Sequence, residues 1–110
     1  MEMSWLGRVQ HDLVKRMLWA ARDRREMGGA VRAGELRARL VDEEGRAVSA
    51  EALWASLRAE APEGVDSAVL EGFGRAIARA EAAAERDDLI GVLALEEAFA
   101  QLRATIEGRR

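Results

Sequence analysis

Hydrophobic residues recur every three or four positions along most of the chain, the spacing that places them on one face of an α-helix. The pattern first predicts a helix over residues 5–26. Ser4 is suited to begin it, because a serine hydroxyl at this position accepts a hydrogen bond from an unpaired amide of the first turn. The residues expected to face the core are Leu6, Val9, Leu13, Met17 and Ala20.

Residues 34–48 allow two interpretations. Leucine and alanine alternate with arginine up to Leu40, and the residues from Asp42 to Gly45 could turn a small β-hairpin. The same residues also favour a short helix that ends at Gly45, since leucine, arginine, alanine and glutamate have high helix propensities. We favour the helix and keep the hairpin as the alternative.

A short helix is predicted from Ser49, which can cap it, to Glu60. Pro62 and Gly64 then interrupt the helical pattern. The side chains that this helix is expected to bury are Leu53, Trp54 and Leu57.

The last two predicted helices carry the clearest hydrophobic pattern. One is capped by Asp66 and runs to about Arg86, and the other runs from about Asp88 to Ile106. Because the junction between them is so short, they are expected to form an antiparallel helical hairpin. The expected inward residues are Val69, Leu70, Phe73, Ala76, Ile77, Ala80 and Ala84 on the first helix and Val92, Leu95, Phe99, Leu102 and Ile106, in heptad-like spacing, on the second.

These elements predict an all-α protein, a bundle of four to five helices with a C-terminal antiparallel helical hairpin. The 110 residues match one ordinary domain, so we expect a single helical domain over residues 1–110. Hydrophobic residues make up 49% of the chain and charged residues 34%, which is typical of a folded globular protein and excludes a disordered one.

The residues that usually perform chemistry are scarce. The chain has no cysteine, which excludes disulfides, thiolate metal sites and cysteine nucleophiles. His11 is the only histidine, so neither a multi-histidine metal site nor a pair of Glu-x-x-His motifs can be built. The Gly72-Phe73-Gly74 run lacks the lysine or third glycine of a phosphate loop. We therefore predict a non-enzymatic protein with no catalytic residue, metal or cofactor.

The net charge of −3 argues against nucleic acid as the main partner, because phosphate binding usually requires a basic excess. Basic residues slightly outnumber acidic ones up to Arg46, however. A helix-turn-helix DNA-binding regulator built on residues 34–60 is therefore an alternative function. Its phosphate contacts would come from Arg8, Lys15, Arg16, Arg22, Arg24 and Arg25.

Nothing in the pattern points to a membrane or to export. No apolar run approaches the roughly 20 residues that span a bilayer. The first residues lack the basic start and apolar stretch of a secretory signal. Together with the absence of cysteine, this predicts a cytoplasmic protein with no membrane partner.

The chain carries more hydrophobic helical surface than one small bundle needs. On a regular α-helix Trp5 and Trp19 fall on the same side, outside the inward arc, beside Asp12 and Arg16 and about 21 Å apart. The last helix has a second apolar stripe, formed by Leu89, Leu93, Ala100 and Ala104.

Because exposed tryptophan is enriched in protein interfaces, these two surfaces are the predicted partner-binding sites. The partner is expected to be another protein or a second copy of the chain, which makes this an accessory subunit, assembly factor or adaptor. A further alternative is a bundle that binds a small ligand or cofactor near His11 and Met17.

Overall fold

A computed structural model describes residues 4–19, 21, 40, 44–46, 48–86 and 88–108. Within these residues the chain is mostly helical and contains no strand, which confirms the all-α class. The predicted end of the first helix near residue 26 lies outside the described residues.

The described part of the chain contains four helices. The first, α1, comprises an α-helical turn (Trp5–Arg8), a π-helical segment (Val9–Lys15) and a return to α-helix over 16–19. The others are α2 (Ala50–Ala59), α3 (Ser67–Glu85) and α4 (Leu89–Glu107).

Each helix begins at a side chain that caps it, as the sequence predicts for the first three helices but not for α4. An oxygen of the capping residue accepts a hydrogen bond from a first-turn amide, which would otherwise have no partner. The capping residues are Ser4, Ser49, Asp66 and Asp88, with donor–acceptor distances of 2.9–3.1 Å.

A chain of aromatic rings connects all four helices through the core. The indole of Trp54 lies 6.1 Å from the Trp5 ring and 5.0 Å from the Phe73 ring, measured between centroids. Phe73 in turn lies 6.3 Å from Phe99. Buried leucines surround these rings, including Leu53 and Leu57 of α2, so the predicted buried face of α2 is confirmed.

The helices α3 and α4 make the most extensive contact in the described structure. Their predicted inward residues are buried or half-buried. At the junction, Gly91 approaches α3 so closely that an added Cβ would lie 2.6 Å from the Cβ of Ala83. The beginning of α4 therefore packs against the end of α3, and only a residue without a side chain fits at this point.

The π-helical segment changes the direction in which α1 presents its side chains. Its hydrogen bonds span five residues instead of four, so each turn holds more residues than an α-helical turn. The buried residues accordingly recur at intervals of four, at Val9, Leu13, Met17 and Ala21. Residues on opposite sides of the segment are rotated away from the register that a regular α-helix predicts.

Between α1 and α2, the structure describes only a few residues of the 34–48 segment. Leu40 is buried, and its carbonyl accepts a hydrogen bond from the Val48 amide at 3.0 Å. Gly45, with φ of 80°, forms the turn that lies between them. The remaining residues, and with them the choice between a helix and a small β-hairpin, lie outside the described residues.

One buried charge secures the start of α2. Glu81 of α3 is buried, and its Oε2 accepts a hydrogen bond from the Ala50 amide at 2.9 Å. A carboxylate at this position satisfies a first-turn amide and interacts favourably with the positive end of the helix dipole. The sequence reasoning missed this role, although Glu81 lies four residues after Ile77 and so within the buried arc of α3.

Candidate interaction surface

Trp19 is the most exposed tryptophan that the structure describes. Its side chain is 48% exposed on α1, and the His11 ring meets it edge-on at 6.2 Å between centroids. His11 Nδ1 lies 3.0 Å from Asp12 Oδ1. Asp12 and Arg16, the predicted neighbours of the tryptophans, are half-buried. Trp19 therefore lies on a helix with about half of its surface open to solvent.

Trp5 does not share this surface, which corrects the prediction that Trp5 and Trp19 form one exposed face. Trp5 is half-buried against Trp54, and its Nε1–H donates a hydrogen bond to the Leu57 carbonyl at 2.7 Å. The cause is the π-helical segment between the two tryptophans, which rotates Trp19 away from Trp5.

The solvent-facing side of α4 carries a row of mostly apolar residues. Ile90 is 79% exposed and Leu93 is 44% exposed, far more than apolar side chains of this size usually are in a folded domain. The row continues through one charged residue to two alanines, all of them exposed. We call this row the outer seam: Ile90, Leu93, Glu97, Ala100 and Ala104.

The outer seam differs at two positions from the stripe that the sequence predicts, because it includes Glu97 and because its first member is not Leu89. Leu89, the expected first member, is half-buried and packs against the cluster that contains Ala21 and Val92. Ile90 takes its place in the seam. The signal was present, because Ile90 stands three positions before Leu93 and seven before Glu97, the spacing of a helical face.

A groove of about 310 Å³ runs between α3 and α4, and three of its lining residues on α4, Ala98, Gln101 and Thr105, each follow directly after a residue of the outer seam. Arg79 is the only charged residue among those that line it, and small or apolar side chains form most of its walls. Arg79 forms no ion pair with any described residue, and neither does Glu97. The residues that line the groove are Ala68, Val69, Gly72, Phe73, Ala76, Arg79, Ala98, Gln101, Leu102 and Thr105.

On its other side, α4 borders a smaller groove shared with α1. This groove of about 210 Å³ has Val14 and Phe99 among its apolar walls, with Lys15 and Glu96 among its polar ones. The structure thereby places Lys15 of α1 and Ala100 of the outer seam around one depression. Its second cation, Arg103, is already bonded to Glu107 at 2.9 Å.

His11 and Met17, the two residues of the ligand-binding alternative, differ in burial. Met17 is fully buried, whereas His11 is half-buried and faces Trp19 and Asp12. The two side chains therefore point to different environments. Among the described residues, no group of three or more histidines and carboxylates lies close enough to hold a metal ion.

The surface of α2 is poorly suited to reading DNA. Exposed residues on it and at its C-terminal end include Glu51 and Glu60, whose charge repels phosphates. Arg8, one of the residues expected to contact phosphate, instead donates a hydrogen bond to Glu60 at 2.9 Å. Arg58 lies 3.8 Å from Glu71. Within the described part of the chain, these contacts give the helix-turn-helix alternative no support.

Comparison with known proteins adds no relative: no family model, no curated protein and no solved structure matches the chain. Among the described helices, none has the length and apolar character needed to cross a membrane. The surface itself is therefore the basis for the functional argument.

Proposed function

We propose that this protein is a non-enzymatic protein–protein interaction module that serves as an accessory subunit, assembly factor or adaptor. The observation that carries the proposal is the exposure of three large apolar side chains, Trp19, Ile90 and Leu93, on helices. Covering their remaining apolar area is favourable by roughly 25 cal/mol per Å² removed from water. A partner that covers them would therefore bind favourably.

Trp19 is the residue that we expect to contribute most to this binding. Tryptophan is enriched among the few residues that dominate interface energies, because it buries a large area at a small cost in rotamer entropy. We infer that the edge-on contact with the His11 ring limits the rotamers of the Trp19 indole in the free protein. Less conformational freedom is then lost on binding, which strengthens the complex. Asp12 and Arg16, with Leu89 and Leu93 on α4, are proposed to border the same interface.

The finer architecture belongs to the same proposal. We propose a single domain over residues 1–110, a bundle of four to five helices whose C-terminal pair forms an antiparallel hairpin. The three-residue junction between α3 and α4 and the close approach of Gly91 to Ala83 support the hairpin. The cytoplasm is the proposed location, supported by a chain without cysteine.

Affinity capture with matched variants tests the proposed function. The tagged chain is used to capture proteins from its native organism, in parallel with Trp19→Ala and with Arg75→Ala, which alters the charged exposed side of α3. We expect a partner that the unmodified chain and Arg75→Ala retain and that Trp19→Ala loses. Circular dichroism must show equal helicity for all three proteins.

The proposal is wrong for this surface if Trp19→Ala captures the same proteins in the same amounts. A triple variant, Trp19→Ala with Ile90→Gln and Leu93→Gln, extends the test to all three exposed side chains. If this variant also retains every specific partner, the apolar surface has no role in binding.

A further inference from the structure

The outer seam has the spacing of a coiled-coil contact. Its five residues follow one another at intervals of 3, 4, 3 and 4 positions, so they form one continuous strip along α4. The strip is about 21 Å long, or four helical turns. Its two bulky residues, Ile90 and Leu93, lie toward the beginning of the helix, and its two alanines lie toward the end.

We propose that the outer seam binds a second copy of this chain, with the two α4 helices antiparallel about a two-fold axis. In this arrangement Leu93 packs on Ala100 of the partner subunit, and Ile90 packs on Ala104 of the partner subunit. Each bulky side chain meets a small one, which lets the helices approach closely along the whole strip. The inference rests on the proposed function, since it names one partner for part of the same surface.

A parallel pair of α4 helices fits the residues of the outer seam much less well. In a parallel pair, Ile90 and Leu93 would each meet their own copy, while the alanines would meet alanines at the other end. The helices would be held apart at one end and leave a gap at the other. Size complementarity within the seam therefore favours the antiparallel pair.

The central charge of the outer seam, Glu97, would also form an ion pair with a second copy. Glu97 is at the midpoint of the seam, so a two-fold axis brings it close to the partner's Glu97. Arg79 stands in the adjacent groove beside Ala98, the residue that follows Glu97, and it has no ion-pair partner among the described residues. Across the axis, Arg79 of each chain can reach the partner's Glu97, so that two cations offset two anions.

These ion pairs would select the second copy over a chain that lacks them. A two-fold interface uses the same patch on both subunits, so the patch must complement itself. The outer seam and its flanking arginine do so in size and in charge. The groove of about 310 Å³ gives the Arg79 side chain space to turn toward the partner.

A charge-exchange series measured by sedimentation velocity tests the proposal. We expect the unmodified chain to form a dimer as its concentration rises. Arg79→Glu and Glu97→Arg should each weaken the dimer at least ~10-fold, because each places like charges together at the axis. The double variant Arg79→Glu with Glu97→Arg should restore the dimer. The control Arg75→Glu makes the same change of charge elsewhere on α3 and should leave the dimer unchanged.

Disulfide trapping tests the antiparallel register, and the cysteine-free chain suits it well. Leu93→Cys and Ala100→Cys chains should cross-link when they are mixed. Each should cross-link poorly with itself, because its two cysteines would be about 10 Å apart along the helices, beyond the reach of a disulfide. Cross-linking of each variant with itself and not with the other would overturn the antiparallel arrangement.

The self-association proposal also fails if the unmodified chain is a monomer up to about 1 mM, or if the double charge exchange does not restore the dimer. These outcomes leave the proposed function intact, because capture of a different protein through Trp19 does not depend on them. Conversely, a chain that dimerises as described but captures nothing through Trp19 would refute only the binding of another protein.

Discussion

The helices α3 and α4 have the same length, 19 residues each, and bury their inner faces against each other, yet their outer faces differ. The outer face of α3 carries charged residues that water solvates well: Glu71, Arg75, Arg79 and Glu85. The exposed side of α4 carries charged residues too, but among the described residues it also exposes Ile90 and Leu93, which have no large apolar counterpart on α3.

This difference shows which of the two helices has an outer face that needs no contact other than water. A helix whose charged residues face water and whose apolar residues face the core is stable in a monomer. A helix that also exposes large apolar side chains gains when they are covered, and the monomer covers only its inner face. Predictions about inner and outer positions can therefore separate the contribution to folding from the contribution to binding.

The largest expected effect is at the shared inner face. Phe73 is only 4% exposed and contacts the rings of Trp54 and Phe99. Phe73→Ala should lower the free energy of unfolding by about 3–5 kcal/mol, because it removes buried apolar area and leaves a cavity. Urea denaturation measures the change, with Arg75→Ala as the exposed control on the same helix. A loss below about 1 kcal/mol would show that the ring does not lie in a packed core.

Adding a single methyl group at the junction of α3 and α4 should lower the stability of the protein. An added Cβ at Gly91 would lie 2.6 Å from Ala83, so Gly91→Ala should cost about 1–3 kcal/mol of stability through overpacking. The matched substitution Gly72→Ala on α3 meets only the end of the Arg75 side chain, at 3.7 Å. It should stabilise the protein by up to about 1 kcal/mol, because alanine has the higher helix propensity. Equal changes in melting temperature would contradict this contrast.

Replacing a glutamate of α3 by alanine should cost more stability where the side chain is buried than where it is exposed. Glu81→Ala leaves the Ala50 amide without its acceptor and should cost about 1–3 kcal/mol. Glu71→Ala removes only an exposed ion pair with Arg58, which usually contributes less than about 1 kcal/mol. Chemical denaturation of both variants measures the difference. If Glu71→Ala proves the more damaging, Glu81 is not a structural cap of α2.

Trp5 and Trp19 should likewise differ in how much stability is lost when each is replaced by phenylalanine. Trp5→Phe keeps most of the ring packing but removes the donor to the Leu57 carbonyl, so a loss of about 0.5–1.5 kcal/mol is expected. Trp19→Phe should alter the unfolding free energy by less than about 0.5 kcal/mol, since Trp19 donates no such hydrogen bond to any described residue. Urea titrations followed by circular dichroism test both. Similar losses would mean that Trp19 also supports the fold.

The smallest effect on folding is expected at the outer seam. Leu93→Gln should change the stability of the monomer by less than about 0.5 kcal/mol, because its side chain already contacts water. Denaturation of dilute protein measures this without a contribution from association. Leu95→Gln, two positions later but buried, provides the contrasting variant. A large loss for Leu93→Gln would place Leu93 in the core and remove it from the binding surface.

Local chemistry and periodicity determined much of this protein directly from its sequence. The helix starts at Ser4, Ser49 and Asp66 follow from side chains that accept hydrogen bonds from first-turn amides. The buried faces of α2, α3 and α4 follow from apolar residues at three- and four-residue intervals, since these intervals fix which side of a helix a residue occupies.

Only the tertiary structure decided how α1 presents its tryptophans. A single-sequence pattern assumes regular α-helical geometry, so it could not anticipate that the π-helical segment rotates Trp5 toward Trp54 and leaves Trp19 exposed. The role of Glu81 depends on Ala50, 31 positions away in the chain. The same is true of the outer seam: α4 has two apolar sides, and it is packing against α3 that determines which one remains in contact with water.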